Sequence, residues 1–458
     1  MSFKPHGSFG VLVALLLALA VAVPSAHGQT GKRKGPSLVR DAEIEALLRD
    51  YARPLMKAAG LRPGTVEFII VNDESFNAFV SGRGVFIHTG LLLQAETPGE
   101  VIGVIAHELG HIVGGHQTRL RERAARAARL AQITTLLGIG LGAAGAAAGV
   151  NDAGAFGMGV AAGGQNIAIR DLLRYQRDEE STADRTAERL LRATGQSGKG
   201  MLATFRRLAR QTSLLAGRID PYLISHPMPN ERIASLRSTL QSSPHWSKPD
   251  PAGFQARHDL VRAKIAAYLG GSRYAKALLQ GKSLSDDARL YGRAIVAHLY
   301  GSPKSAIPLI DRLIATTPSN AYAWEMKGEI YLRSGKPAQA ASAFRKAIAL
   351  DRTKAGFIRV ELGHALVEAG GRANLEAARR ELKRGLTSDP SAIGGWRYLA
   401  RAEAELGNEA GALLASAELA FRTGRKKEAK AFARRAQQGM KRGSPGWLRA
   451  EDIATTGG

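Results

Sequence analysis

The sequence predicts a mainly α protein in two parts, an α+β domain with a small β-sheet followed by an α-solenoid of helical repeats. Three observations carry this expectation. At 458 residues the chain is too long for one ordinary core. Its apolar content of 45% includes only 6% aromatics, an alanine- and leucine-rich balance that leans helical. Beyond QSSPHWSKPDPAG (Gln241 to Gly253), a stretch with three prolines, the pattern repeats with a period of 34 residues.

The elements follow in order. Lys4, an apolar run from Phe9 to Val23, then Pro24 with the small residues Ala26 and Gly28 predict a signal peptide that is removed on export. A basic, disordered stretch is expected over Gly31 to Ser37. Ile44, Leu47, Leu48, Tyr51 and Leu55 have helical spacing, so a helix is expected over 41–60. TVEFIIVND (Thr65 to Asp73) reads as a strand, and NAFVSGRGVFIHTGLLL (Asn77 to Leu93) as two short strands turning at Gly82 and Gly84. Thr97 as N-cap, Pro98 at the first helical position and Glu100 closing a capping box announce the next helix.

Ile133 to Ile169 has Asp152 as its only charge. Each half falls short of the ~20 apolar residues that cross a bilayer. A glycine-rich helical hairpin or loop beside the preceding helix is expected, with an interfacial segment as the alternative. Helices over 170–194 and 199–216 follow. The boundaries are a signal peptide over 1–28, an α+β domain over 29–250 and a linker helix opening the repeats over 251–286. Repeats over 287–445 and a disordered tail over 446–458 complete the chain.

AYAWEMKGEIYLRSGKPAQAASAFRKAIALD matches the tetratricopeptide pattern at Trp324, Gly328, Tyr331, Ala340, Phe344 and Ala347. Ala306 and Pro318 take their places one period earlier. Leu362 with Gly363, then Trp396 with Leu399, restart the pattern after small insertions. Lys427 to Ala436 forms a last degenerate unit. The concave face of such an array usually binds protein.

The chain has no cysteine, which excludes thiolate ligands and thiol nucleophiles and suits a bacterial exported protein. The net charge is +24, with an arginine-rich run at Arg119 to Ala131. Export argues against nucleic acid as the partner and favours peripheral contact with an anionic membrane surface.

AHELGHIVGGHQ (Ala106 to Gln117) carries the chemistry. On a helix, His107 and His111 lie one turn apart on one face and can aim both imidazoles at one ion. Glu108, rotated by about 100°, reaches a water beside that ion and can act as general base. A catalytic zinc takes three protein ligands and keeps one position open. His116 falls five residues after His111, where the extended metzincin spacing needs six and finds Gln117, so it reads as a helix-end or packing histidine. RYQRDEESTADRTAERLL (Arg174 to Leu191) offers the better candidates. Glu180 and Asp184 share a helix face, so one carboxylate can bind metal while the other orients a ligand histidine. Glu179 is the neighbouring alternative, expected to stay solvated.

AHELGH, the distant Glu180 to Asp184 pair, the upstream NAF segment and the downstream SHPMPNERI together resemble the HtpX and Ste-type CAAX protease class of gluzincins. With a signal peptide and a tetratricopeptide array, the chain is most similar to periplasmic members of that class. The resemblance implies a gluzincin-type metalloprotease domain with one zinc held by His107, His111 and Glu180, and Glu108 as base. It also implies a strand including Asn77, Ala78, Phe79 and Val80 that pairs with extended substrate. Quality control and assembly of outer-membrane proteins would be the function: misfolded or stalled clients would be cut, and the repeats would contact the assembly machinery. A chaperone or assembly factor with a mostly latent protease site is the alternative. His226, on the Pro-flanked SHPMPNERI loop, is a candidate fourth ligand that would close the site. Arg232 either stabilises an oxyanion in the cleft or forms a salt bridge with a carboxylate such as Asp184.

Overall fold

The computed structural model describes residues 37–147, 152–214, 226, 230–269 and 273–456. The signal peptide and most of the basic stretch expected at the N-terminus lie outside them. The described chain forms two compact units, residues 48–252 with strand residues 38–39, and residues 40–47 with 253–456.

In the first unit β1 (Leu38–Val39), β2 (Glu67–Val71), β3 (Ala78–Ser81) and β4 (Gly84–His88) form a sheet in the order β1-β2-β4-β3. β2 and β4 are parallel, and the outer pairings are antiparallel. The β3–β4 hairpin turns at Gly82, whose φ of 61° is the left-handed conformation that glycine adopts without strain. Phe79 and Phe86, directly opposite in that hairpin, stack at 4.9 Å and hold its register. β1 and β3 are the edge strands.

α1 (Ala42–Ala58) buries Leu48, Tyr51 and Leu55 along the expected stripe. After the short α2 (Thr89–Gln94) comes α3 (Pro98–Gly114), buried throughout its first thirteen residues, Pro98 to Gly110. Its entry differs from expectation. Thr97 is the N-cap residue but its side chain makes no capping bond. The Glu100 carboxylate instead accepts from the Glu96 N–H at 3.0 Å and pairs with Arg207 at 3.0 Å, a salt bridge that outcompetes the capping box.

α4 (His116–Ala147) and α5 (Ala153–Ala193) form one long hairpin. The glycine-rich segment is therefore helical over 133–147 and 153–169, and the helix expected from residue 170 begins at 153. Alanine fills both arms densely enough to sustain the helix through the glycines. α6 (Lys199–Leu214) and α7 (Asn230–Gln241) follow. The apposition of α3 with α5 and α6 is close: a Cβ on Gly110 would lie 2.7 Å from the Ala183 carbonyl, and one on Gly103 would lie 2.6 Å from Met201.

The second unit runs through α8 (Phe254–Tyr268), α9 (Arg273–Gln280), α10 (Asp286–Tyr300), α11 (Pro303–Thr316), α12 (Ala321–Arg333) and α13 (Pro337–Leu350). It continues through α14 (Gly356–Ala369), α15 (Arg372–Ser388), α16 (Ile393–Glu405), α17 (Glu409–Arg422), α18 (Lys426–Gln438) and α19 (Pro445–Thr455). Repeat equivalence is visible in detail, because Trp324 Nε1 donates to the Pro318 carbonyl and Trp396 Nε1 to that of Pro390, at 3.2 and 3.1 Å. α19 replaces the disordered tail expected over 446–458. Ser444 caps it, Pro445 starts it, and Ala450 and Ile453 pack against Ala417, Ala420 and Ala433. The expected linker over 251–286 is two helices of this unit.

Residues 40–47 belong to this unit too, although the sequence reading placed them with the first domain. Arg40 pairs with Asp389 at 2.6 Å. Lys264 is buried against Asp41 at 2.6 Å and Glu43 at 3.4 Å, and the Tyr291 hydroxyl donates to Glu43 at 3.1 Å.

Candidate metal centre

The buried length of α3 ends in AHELGH. His107 and His111 lie one turn apart with their Nε2 atoms 3.1 Å from each other. From α5, Glu180 places Oε2 3.3 Å from His107 Nε2 and Oε1 3.4 Å from His111 Nε2. His226 arrives from far along the chain, its Nδ1 3.3 Å from His107 Nε2 and 3.1 Å from each Glu180 oxygen. Among the described residues, these four side chains are the one group of histidines and acids with the proximity to hold a metal ion.

Their spacing tests the fit. A tetrahedral ion with bonds of about 2.0–2.1 Å separates its ligand atoms by roughly 3.3–3.4 Å. Five of the donor separations, taking the nearer Glu180 oxygen, run from 3.1 to 3.4 Å, and all four ligand atoms lie within 4.8 Å of one another. Three imidazoles and one carboxylate are a donor set for a divalent ion of borderline softness. Glu108 adds an independent sign. Neither of its buried carboxylate oxygens accepts a hydrogen bond, and its charged neighbour is the His226 ring, Nε2 3.5 Å from Oε1, a costly state for a carboxylate unless further positive charge compensates.

The electrostatics agree. Burial raises the Glu108 carboxyl above the ordinary range, partly opposed by His226 and His107. Burial also pushes Glu180 upward, but the neighbouring His226 and His107 outweigh it and hold the carboxyl well below that range. His107 is drawn up to about 9, because Asp184 and Glu180 overcome the burial that would lower it. His111 goes the other way through burial and the charge on His107. Neighbouring rings shifted in opposite directions are a cluster that shares positive charge.

A second ring of contacts holds these side chains. His107 Nδ1 lies 2.9 Å from Asp184 Oδ1. Arg232 donates to Asp184 from Nε at 2.5 Å and Nη2 at 2.9 Å, and its Nη1 is 2.9 Å from Glu180. This is the salt bridge of the two arrangements expected for Arg232.

His116 has a role that spacing alone did not disclose. Gly115 ends α3 in the left-handed conformation, φ 64°, so His116 starts a new helix and turns back over His111, their Nδ1 atoms 2.9 Å apart. Its Nε2 is 2.8 Å from Glu179 Oε2. Glu179 is therefore engaged with His116 rather than solvated as expected. The signal was the Gly114–Gly115 pair, which marks a helix stop.

A cavity of about 210 Å³ lies over the cluster, lined by Glu108, His111, Glu180 and His226 and, opposite them, by Phe79 and Val80 of edge strand β3. Ala78, Phe79 and Val80 fall in β3 as expected, and Asn77 sits one residue before it, its carbonyl accepting from the His88 N–H at 3.0 Å. The Gln117 side chain bonds the Val80 carbonyl and accepts from the Gly82 N–H at 2.9 Å.

Comparison with known proteins agrees with this geometry. Residues 39–240 match peptidase family M48, and residues 321–354 match a tetratricopeptide repeat. The chain is 25% identical to the beta-barrel assembly-enhancing protease of Escherichia coli K12 over 421 residues, covering 90% of this chain and 82% of that one. It is 27% identical to a putative beta-barrel assembly-enhancing protease of Vibrio cholerae over 398 residues, 84% of this chain and 78% of that one. Metalloprotease YcaL of Escherichia coli K12 is 29% identical over 184 residues, 39% of this chain and 63% of that one. With a buried His/Glu cluster inside the matched region, the chain is a metallopeptidase whose residues 39–240 are similar to family M48 and whose C-terminal part carries tetratricopeptide-like repeats.

Proposed function

We propose that the protein is an exported, periplasmic zinc endopeptidase that acts in the assembly and quality control of outer-membrane proteins and rests in a latched state. The observation that carries the chemistry is the buried cluster of His107, His111, Glu180 and His226, their ligand atoms within 4.8 Å of one another, beside the buried Glu108. When bound, zinc supplies Lewis acidity, polarising a peptide carbonyl and making water a usable nucleophile at neutral pH.

The residues of the chain supply the rest. Glu108 takes the proton of the attacking water and returns it to the leaving amine, a task suited to a carboxyl raised by burial. β3 offers its edge to an extended client, whose main chain adds as a further strand, and this favours breadth over sequence specificity. Asp184 orients His107 through its second ring nitrogen. His226 takes the position that substrate needs, so its departure opens the site. The clients follow from the relatives, whose names tie them to β-barrel assembly. The repeats would dock those clients or the assembly machinery.

Zinc content and cleavage of an unfolded protein, measured on the same preparations, test the proposal. Glu108→Gln is expected to keep one zinc and lose about 10²–10⁴-fold in rate. His226→Ala is expected to keep its zinc and cleave faster than the parent. Equal or slower cleavage by His226→Ala at full zinc content removes the latch. The closed four-ligand geometry also favours a second reading, an assembly factor whose protease site is mostly latent. Survival of outer-membrane assembly in cells carrying Glu108→Gln would select that one.

A further inference from the structure

The hairpin of α4 and α5 carries an apolar surface that nothing in the described unit covers. Leu130, Ile133, Leu137 and Leu141 recur at the three- and four-residue intervals of one helix face, and each is at least 42% exposed. Leu136 and Ile139 widen the stripe at 69% and 64% exposed, and Met158 on the other arm is 73% exposed. A Cβ built on Gly140, Gly159 or Gly163 would meet nothing within 4 Å, so these stretches of both arms pack against nothing further.

Beside this stripe the hairpin is strongly basic. Residues 119–129 and 170–178 hold eight arginines against three carboxylates. Arg123 sets the register of the two arms, 3.5 Å from Asp171 and stacked over the Tyr175 ring at 4.0 Å. Arg121, Arg126 and Arg129 are exposed on α4, and Arg170, Arg174 and Arg177 on α5.

We propose that this hairpin is a monotopic membrane-binding element that lies in the headgroup region of an anionic phospholipid leaflet. The leucine and isoleucine stripe would enter the acyl boundary, and the arginines would meet the phosphates. Charge and apolar area together favour lipid over a second protein, because an arginine-dense rim suits phosphates and is poor at burying itself against a copy of equal charge. Two facts set the depth. No helix among the described residues is long and apolar enough to cross a membrane. Asp152, at the N-cap of α5 where the hairpin turns, makes deep entry by the tip costly. The hairpin therefore lies along the interface. Ten residues, about 15 Å of helix, separate Arg170 from Glu180, so lipid binding holds the metal centre near the surface.

The test is sedimentation of the full mature chain with vesicles of phosphatidylglycerol and phosphatidylcholine, alongside vesicles of phosphatidylcholine alone. The parent is expected to bind the anionic vesicles. Arg121→Gln, Arg126→Gln and Arg129→Gln combined should weaken that binding roughly a hundredfold at low salt. Ile133→Glu with Leu137→Glu should abolish it while helicity and metal content stay unchanged. Fluorescence of Leu137→Trp should shift to the blue on adding anionic vesicles. The proposal is overturned if the parent stays in the supernatant, if the Ile133→Glu, Leu137→Glu chain binds like the parent, or if the tryptophan emission does not move. A parent dimer that those glutamates convert to monomer, with no vesicle binding, would assign the stripe to a second copy.

Discussion

At the scale of single residues, the metal group is held by carboxylates that are themselves held. Asp184 bonds the ring nitrogen of His107 that faces away from the cluster, which leaves Nε2 for the ion. Asp184→Asn is expected to lower metal affinity about 10–100-fold, read by competition with a chelator. Arg232 is buried between Asp184 and Glu180. Arg232→Met leaves both carboxylates facing each other without their cation, so urea unfolding of the peptidase unit should show a loss of about 3–5 kcal/mol. A catalytic oxyanion role would instead spare stability and lower kcat. Glu180 was legible from its spacing to Asp184, whereas the His116 contact with His111 was not, because it depends on the chain reversing at Gly115.

At the scale of elements, the site exists because α3 and α5 approach closely enough for Glu180 to meet the two histidines. Gly110 permits this, since a Cβ there would meet the Ala183 carbonyl at 2.7 Å. Gly110→Ala pushes α5 away and carries Glu180 with it. The overpacking costs about 1–3 kcal/mol, against a helix-propensity gain of up to ~1 kcal/mol. Metal affinity should fall more than stability, and measuring both by chelator competition and urea unfolding separates the two effects. The strands and α3 were legible in sequence from their alternation, their turn glycines and Pro98. The length of α5 was not, because glycines at 154, 157, 159, 163 and 164 mask a helix that alanine sustains.

At the scale of the whole molecule, the unexpected feature is the buried charge in the repeat unit. Lys264 sits with Asp41, Glu43, Tyr291 and Glu325. Lys264→Met strands Asp41 and Glu43, and a loss of about 3–5 kcal/mol is expected by thermal or urea unfolding. Adding Glu43→Gln should recover part of it. Glu325 gives the pH dependence. Burial raises its carboxyl well above 4.5, with Lys264 opposing and Asp41 and Glu43 reinforcing. A raised folded pKa contributes stability that is fully present below the unfolded value and is lost as pH rises toward the folded one. Stability of this unit should therefore decline as pH rises from about 4.5, and Glu325→Gln should flatten that decline. An unchanged slope in Glu325→Gln would locate the titration elsewhere.

What the sequence determined by itself was whatever rests on near neighbours. Helix spacing put His107, Glu108 and His111 on one helix, and a period of 34 residues showed a repeat array, because both signals are local and repeated. Only the tertiary structure decided the rest. It brought His226 to Glu180 across 46 residues, turned Arg232 onto Asp184, took residues 40–47 into the repeat unit and left the α4–α5 stripe bare. Each of these depends on which surfaces meet after folding, and a burial pattern written in one element does not name the element that will cover it.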